Sequence, residues 1–146
     1  MRKFECAIIG GGAAGLNAGL YLGLSLRNIV IFDNGTNRNR VTKKSHGYLT
    51  RDGLTPGEIR GEALKDVQSY VNVKVVQQTV KQINEMNDGK FLICTENGEQ
   101  FEAGKIVLAS GRPTYGIAPI AEKLELKKYG GYILSYNGGE IINWQT

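Results

Sequence analysis

The first apolar run of the chain, Cys6 to Ile9, stops at three consecutive glycines, and no charge follows until Arg27. Ala13, Leu16, Leu20 and Leu24 recur there at helical spacing, which predicts a helix with one apolar stripe laid against a sheet. A second run, Asn28 to Phe32, reads as a strand and ends on Asp33. Strand, glycine turn, helix and strand in that order make a βαβ unit with its two strands parallel.

Polarity then changes the pattern. Asn34 to Asp52 is rich in Gly, Asn, Arg and Ser and is too long for an ordinary connection, so it reads as a binding loop. Thr55-Pro56-Gly57-Glu58 is a capping box with proline at the first helical position, and Ile59, Ala63, Leu64, Val67 and Val71 carry a helix to about Tyr70. Val73 to Val80 is rich in β-formers. Asp88-Gly89 and Asn97-Gly98 punctuate short alternating strands, a small antiparallel meander, and Ile106 to Ala109 reads as a fully buried strand. The fold class expected is α/β, a Rossmann-like parallel sheet with an inserted meander.

At 146 residues the chain supports one domain with a proper core. Its net charge of +4 is modest and its lysines and arginines are scattered, which argues against nucleic acid as a partner. Cys6 and Cys94 show neither C-x-x-C nor metal-ligand spacing, and both read as inert buried thiols in a reducing compartment. His46 is the single histidine, so no metal site is expected. Gly15, Gly19 and Gly23 form a small-xxx-small ladder of the kind found in membrane helices, but the glycine load argues against a span. Glu5 and the glycines break what a signal peptide needs as a continuous apolar core, so a cytoplasmic protein is expected.

The glycines carry the candidate chemistry. Gly10 allows a tight turn, Gly12 lets backbone approach a pyrophosphate, and Gly15 lets helix pack closely on strand. Free amides at the helix N-terminus attract the phosphates. Asp33 lies 21 positions beyond Gly12, near the spacing of the carboxylate that accepts from an adenosine ribose. Three readings stay open: an FAD-binding module, a module for NAD, ADP or the ADP half of FAD, and a domain that merely folds. A homo-oligomer is compatible with each.

Residues 1 to about 111 resemble the FAD domain of the thioredoxin reductase-like flavoproteins. The resemblance rests on Cys6 to Asn17, on Phe32-Asp33-Asn34-Gly35-Thr36-Asn37-Arg38-Asn39-Arg40, and on Ser45-His46-Gly47-Tyr48-Leu49-Thr50-Arg51-Asp52-Gly53. It implies that Gly10, Gly12, Ala13, Ala14 and Gly15 hold the FAD pyrophosphate, that Asp33, with Asn34 beside it, meets the ribose, and that Val80 meets the adenine through its backbone. It brings the loop from Asn37 to Thr50, with Arg38 and His46, towards the flavin, and Ala109-Ser110-Gly111 to the cofactor. The sequence shows no redox C-x-x-C, no second G-x-G-x-x-G for NADPH and no Gly-Asp motif of the kind that seats the flavin. No catalytic residue is therefore assigned; an active protein would be an FAD-dependent oxidoreductase.

From about residue 106 a second resemblance begins. Val107-Leu108-Ala109-Ser110-Gly111-Arg112-Pro113-Thr114-Tyr115-Gly116-Ile117 is similar to a segment of the Cof-type phosphatases of the haloacid dehalogenase superfamily, as are Tyr129-Gly130-Gly131-Tyr132 and Tyr136-Asn137-Gly138. It implies a helix over 117–126, a phosphate-binding Ser110 and a substrate-side Asn137. The nucleophilic Asp-x-Asp pair and the acidic metal motif are missing, so phosphatase activity is not expected. The expected division is a dinucleotide-binding portion, 1–111, and a helix-plus-hairpin tail, 112–146, joined as a chimera within a shared strand. His46 reads as a plain loop histidine, and Trp144 with the tail tyrosines as packing residues.

Overall fold

The structure, a computed structural model, describes residues 1–37 and 41–111 together with the backbone of 134–137 and 140–143. Strand β1 (Arg2–Ile9), helix α1 (Ala13–Leu24) and strand β2 (Ile29–Phe32) form the expected βαβ unit, with Cys6 level with Ile29 in a parallel pair. Helix α2 (Pro56–Gln68) leads to β3 (Val73–Val76), parallel to β2, and β4 (Val80–Glu85), β5 (Phe91–Thr95) and β6 (Gln100–Leu108) follow as an antiparallel meander. The strand order is β3-β2-β1-β6-β5-β4. Strands β7 (Leu134–Asn137) and β8 (Glu140–Asn143) pair as a hairpin; the expected helix over 117–126 lies outside the described residues.

Alternation along β1 and β2 supplies two apolar faces. Cys6, Ile8, Ile29 and Ile31 pack with Leu16 of α1 and Val67 of α2, while Ala7, Ile9, Val30 and Phe32 pack with Ile83, Ile93 and Phe101 of the meander. Phe32 meets Phe101 edge-on, ring centroids 5.0 Å apart. The sheet is therefore curled. β3 and β4 stand at opposite ends of the order, and a flat six-stranded sheet would part them by about 24 Å. Residues 77–79 join them, and that reach is about 14 Å at most.

Several expectations change here. Val73 to Val80 divides into two strands, because Gln78 donates its amide to the Val76 carbonyl and turns the chain. The last meander strand and the Ile106–Ala109 strand are one element: β6 pairs with β1 from Phe101 to Leu108 and with β5 over its first half alone. With that second partner gone, Ile106 to Ala109 are half-buried rather than fully buried, and Ala109 lies just beyond the strand. Cys94 is also half-buried; Cys6 is buried.

The face of α1 differs as well. Gly15, Leu16, Gly19 and Gly23 are its buried residues, whereas Ala13 is exposed and Leu24 is 62% exposed. A Cβ on Gly19 would lie 2.5 Å from Ile31 Cδ1, and one on Gly23 would lie 2.8 Å from Val73 Cγ2. The glycine ladder thus lets α1 settle onto the sheet, and large side chains are displaced to its flanks. No helix among the described residues is long and apolar enough to cross a membrane.

Candidate functional site

The C-terminal ends of β1, β2 and β6 converge on the glycine turn. Gly10 donates its amide to the Phe32 carbonyl at 2.8 Å, which ties the turn to the end of β2. It has φ +114°, and a Cβ there would lie 2.5 Å from the Ala109 carbonyl oxygen and 2.9 Å from Ser110 Cα. At Gly15 a Cβ would fall 1.8 Å from the Gly10 carbonyl oxygen. Gly12 is the opposite case, for nothing lies within 4 Å of a Cβ built there. Two glycines are required by packing, and the third opens onto free space.

That opening faces the start of a helix. Gly12 is the N-cap of α1, with extended backbone, no side-chain cap and no acid in the first turn. The first intrahelical bond, Leu16 N–H to Gly12 carbonyl, spans 2.9 Å, so the amides before Leu16 have no acceptor one turn back. Ala13 and Ala14 are exposed there. The N-terminus of α2 is instead closed by its own residues. Thr55 Oγ1 accepts from the Glu58 amide at 3.1 Å, and Glu58 Oε2 accepts from the Thr55 amide at 2.8 Å. The bonds from Thr55 hold the Glu58 carboxyl below its ordinary pKa. An uncapped helix end with donors facing open space suits an anion.

Asp33 completes the crevice. It is 6% exposed, and its amide donates to the Val76 carbonyl at 3.0 Å. Oδ1 accepts from the Gly35 amide at 3.0 Å, and Oδ2 is ion-paired with Arg60 Nη2 of α2. A Cβ on Gly11 would lie 2.5 Å from Asp33 Cβ, so the carboxylate side chain lies directly against the glycine turn. Cys6, on β1 just before this turn, is pushed up in pKa by burial.

The remaining expected residues divide. Ala109 and Ser110 are brought to Gly10, with the Ala109 amide donating to the Ile9 carbonyl at 2.8 Å; Ser110 and Gly111 are exposed, Gly111 with φ +82°. Asn34 is exposed, and its Oδ1 accepts from Thr36 Oγ1 at 2.6 Å and from the Thr36 amide at 3.1 Å, so its side chain closes a local turn. Val80 opens β4 opposite Thr95, half-buried against the meander core. Arg38 lies outside the described residues. His46 is exposed, its Nδ1 lies 3.3 Å from Asp52 Oδ2, and Asp52 Oδ1 accepts from the Gly47 amide at 2.7 Å. The Ser45 amide donates to the Leu54 carbonyl and the Gly53 amide to the Ser45 carbonyl, each at 2.8 Å, closing this loop on itself.

Sequence reasoning missed Gly11, Asp52 and Arg60. Gly11 was legible, since the run is three glycines and the middle one must also fit. Arg60 was not, because its partner lies 27 positions away and no local spacing marks it.

Residues 4–137 match the pyridine nucleotide-disulphide oxidoreductase family. The chain belongs to that family. Among curated relatives, a probable thioredoxin reductase of Arthroderma benhamiae is 33% identical over 114 residues, 75% of this chain and 28% of the relative. A thioredoxin reductase of Gibberella zeae is 31% identical over 149 aligned positions, 94% of this chain and 43% of the relative. Among solved structures, a candidate thioredoxin reductase, TrxB, of Bacillus anthracis shares 45% identity at TM-score 0.72, over 73% of this chain and 36% of that one. An Agrobacterium tumefaciens oxidoreductase shares 36% at TM-score 0.70, over 80% and 41%. The chain thus spans less than half the length of these relatives. The family match continues past Gly111, across the stretch that resembles a phosphatase in sequence.

Proposed function

We propose that the chain binds FAD at the glycine turn, as the FAD-binding portion of a thioredoxin reductase-like flavoprotein oxidoreductase. The observation that carries this reading is the uncapped N-terminus of α1, opening at Gly12 onto free space beside the buried Asp33. Amides of the Gly12–Gly15 turn receive the pyrophosphate, Asp33 accepts from the adenosine ribose, and Val80 meets the adenine through its backbone. Ala109, Ser110 and Gly111 border the cofactor at the end of β6. Asn34 lies beside Asp33 at the ribose, and Arg38 and His46 belong to the loop on the flavin side. A bound flavin supplies hydride and electron transfer between a nicotinamide and an acceptor, chemistry that is the cofactor's own. The protein's part is to bind and orient it in the cytoplasm, without membrane or nucleic-acid partners.

A second reading, an adenosine-nucleotide module without turnover, is favoured by what the structure gathers. Glycine turn and Asp33 are adjacent, while His46 is engaged with Asp52. Absorbance and FAD titration, with ADP and NAD titrated by calorimetry, separate the two. Saturable FAD binding tighter than ADP supports the flavin site; equal binding supports the adenosine module; no binding overturns both.

For 112–146 the proposal is an appended segment of phosphatase-like sequence joined near Ala103 to Gly111, without phosphatase chemistry. Hydrolysis of p-nitrophenyl phosphate with Mg²⁺, lost in Ser110→Ala, would refute it.

A further inference from the structure

Arg60 is the side chain at this site that neither the glycine pattern nor the ribose carboxylate accounts for. It comes from α2, 25% exposed, and its Nη2 donates to Asp33 Oδ2. Its Nε is buried without a hydrogen-bond partner. A buried donor left bare is costly, and a half-buried ion pair returns little net stability against an apolar side chain of similar volume. Stability therefore does not explain an arginine here. Charge does: Asp33 lies against Gly11, one residue from the opening at Gly12 where the pyrophosphate would sit. A carboxylate so near a diphosphate repels it, since like charges a few ångströms apart raise each other's energy.

We infer that Arg60 is the counter-charge that lets the Asp33 carboxylate and an adenosine diphosphate share one crevice. The inference rests on the nucleotide reading above. Gly35 N–H and Arg60 Nη2 occupy one site on each carboxylate oxygen. A carboxylate offers roughly four lone-pair sites, so about two remain for ribose hydroxyls. Arg60 is thus a positioning residue: it holds the carboxylate in place and cancels its charge towards the anion.

The test is ADP titration by calorimetry of the full chain and its Arg60→Met, Arg60→Lys, Asp33→Asn and Asp33→Asn/Arg60→Met variants, each checked by thermal unfolding. Arg60→Met is expected to weaken ADP about tenfold or more, from uncompensated repulsion. Arg60→Lys, which keeps the charge, stays within about threefold of the parent. Asp33→Asn/Arg60→Met binds ADP more tightly than Arg60→Met alone, since removing the carboxylate removes the repulsion; a merely structural role of Arg60 would give no such rescue. ADP affinity unchanged in Arg60→Met, or a double variant no better than Arg60→Met, overturns the counter-charge. If Arg60→Met does not fold, Arg60→Lys and an Arg60→Gln variant decide by the same comparison: equal losses in both overturn it. Failure of the parent chain to bind ADP overturns the nucleotide reading, and the counter-charge with it.

Discussion

The Cα of Gly15 faces the carbonyl oxygen of Gly10 so closely that a methyl group on it would come within 1.8 Å of that oxygen. Both atoms belong to the backbone of one turn, so neither can yield. Gly15→Ala is expected to lower stability by about 1–3 kcal/mol or more, as overpacking does. Urea unfolding followed by far-UV circular dichroism would show it; an unchanged midpoint would mean that the first turn of α1 does not approach β1 in this way.

Gly12→Ala should separate folding from binding. Its methyl enters open space, so the melting temperature should fall by less than about 5 °C, the loss an alanine N-cap causes. Nucleotide affinity should collapse, because the methyl stands where the pyrophosphate approaches. Thermal unfolding with and without ADP reads both effects in one experiment, and a normal ADP-induced shift in the variant contradicts the site.

Thr55 and Glu58 give α2 a pH-dependent start. The Glu58 carboxyl is held below its ordinary pKa, so its contribution is present above the unfolded-state value and is lost as pH falls through the lower folded value. The melting-temperature gap between the parent and Glu58→Gln should be full at neutral pH and close as pH falls through the lowered folded-state value. Thr55→Ala should cost about 1 kcal/mol at neutral pH and leave ADP affinity alone. A gap that widens in acid would refute the capping box.

Cys6 and Cys94 should differ in reactivity. Burial raises the Cys6 thiol, whereas Cys94 is half-buried, and the thiolate is the reactive form. Ellman's reagent at pH 8 should label Cys94 first and Cys6 only as the chain opens. Equal rates in the folded chain would place Cys6 at the surface.

The βαβ unit was legible because each of its signals is local: an apolar run, a glycine turn, a helical stretch and a terminal acid. The capping box of α2 was legible for the same reason. The buried face of α1 was misread because hydrophobic spacing rewards leucines, while close approach of helix to sheet rewards the residues that lack a side chain. β6 was divided in two because Gly104 and Lys105 interrupt its alternation, yet its pairing with β1 keeps one register throughout. At the site, Gly10, Gly12, Gly15 and Asp33 could be read in sequence order. Arg60 and the Asp52 contact to His46 could not, since each depends on folding bringing two segments together.

The pairing of β1 with β6 also sets the order in which the protein can be made. Arg2 pairs with Phe101, 99 positions further on, and the carbonyl of Ala109 presses on Gly10 across the same gap. Contacts so distant in sequence form late, after the closure entropy of everything between has been met. During synthesis one edge of β1 stays bare until β6 follows. The glycine turn at Gly10 is thus translated well before the strand that completes it.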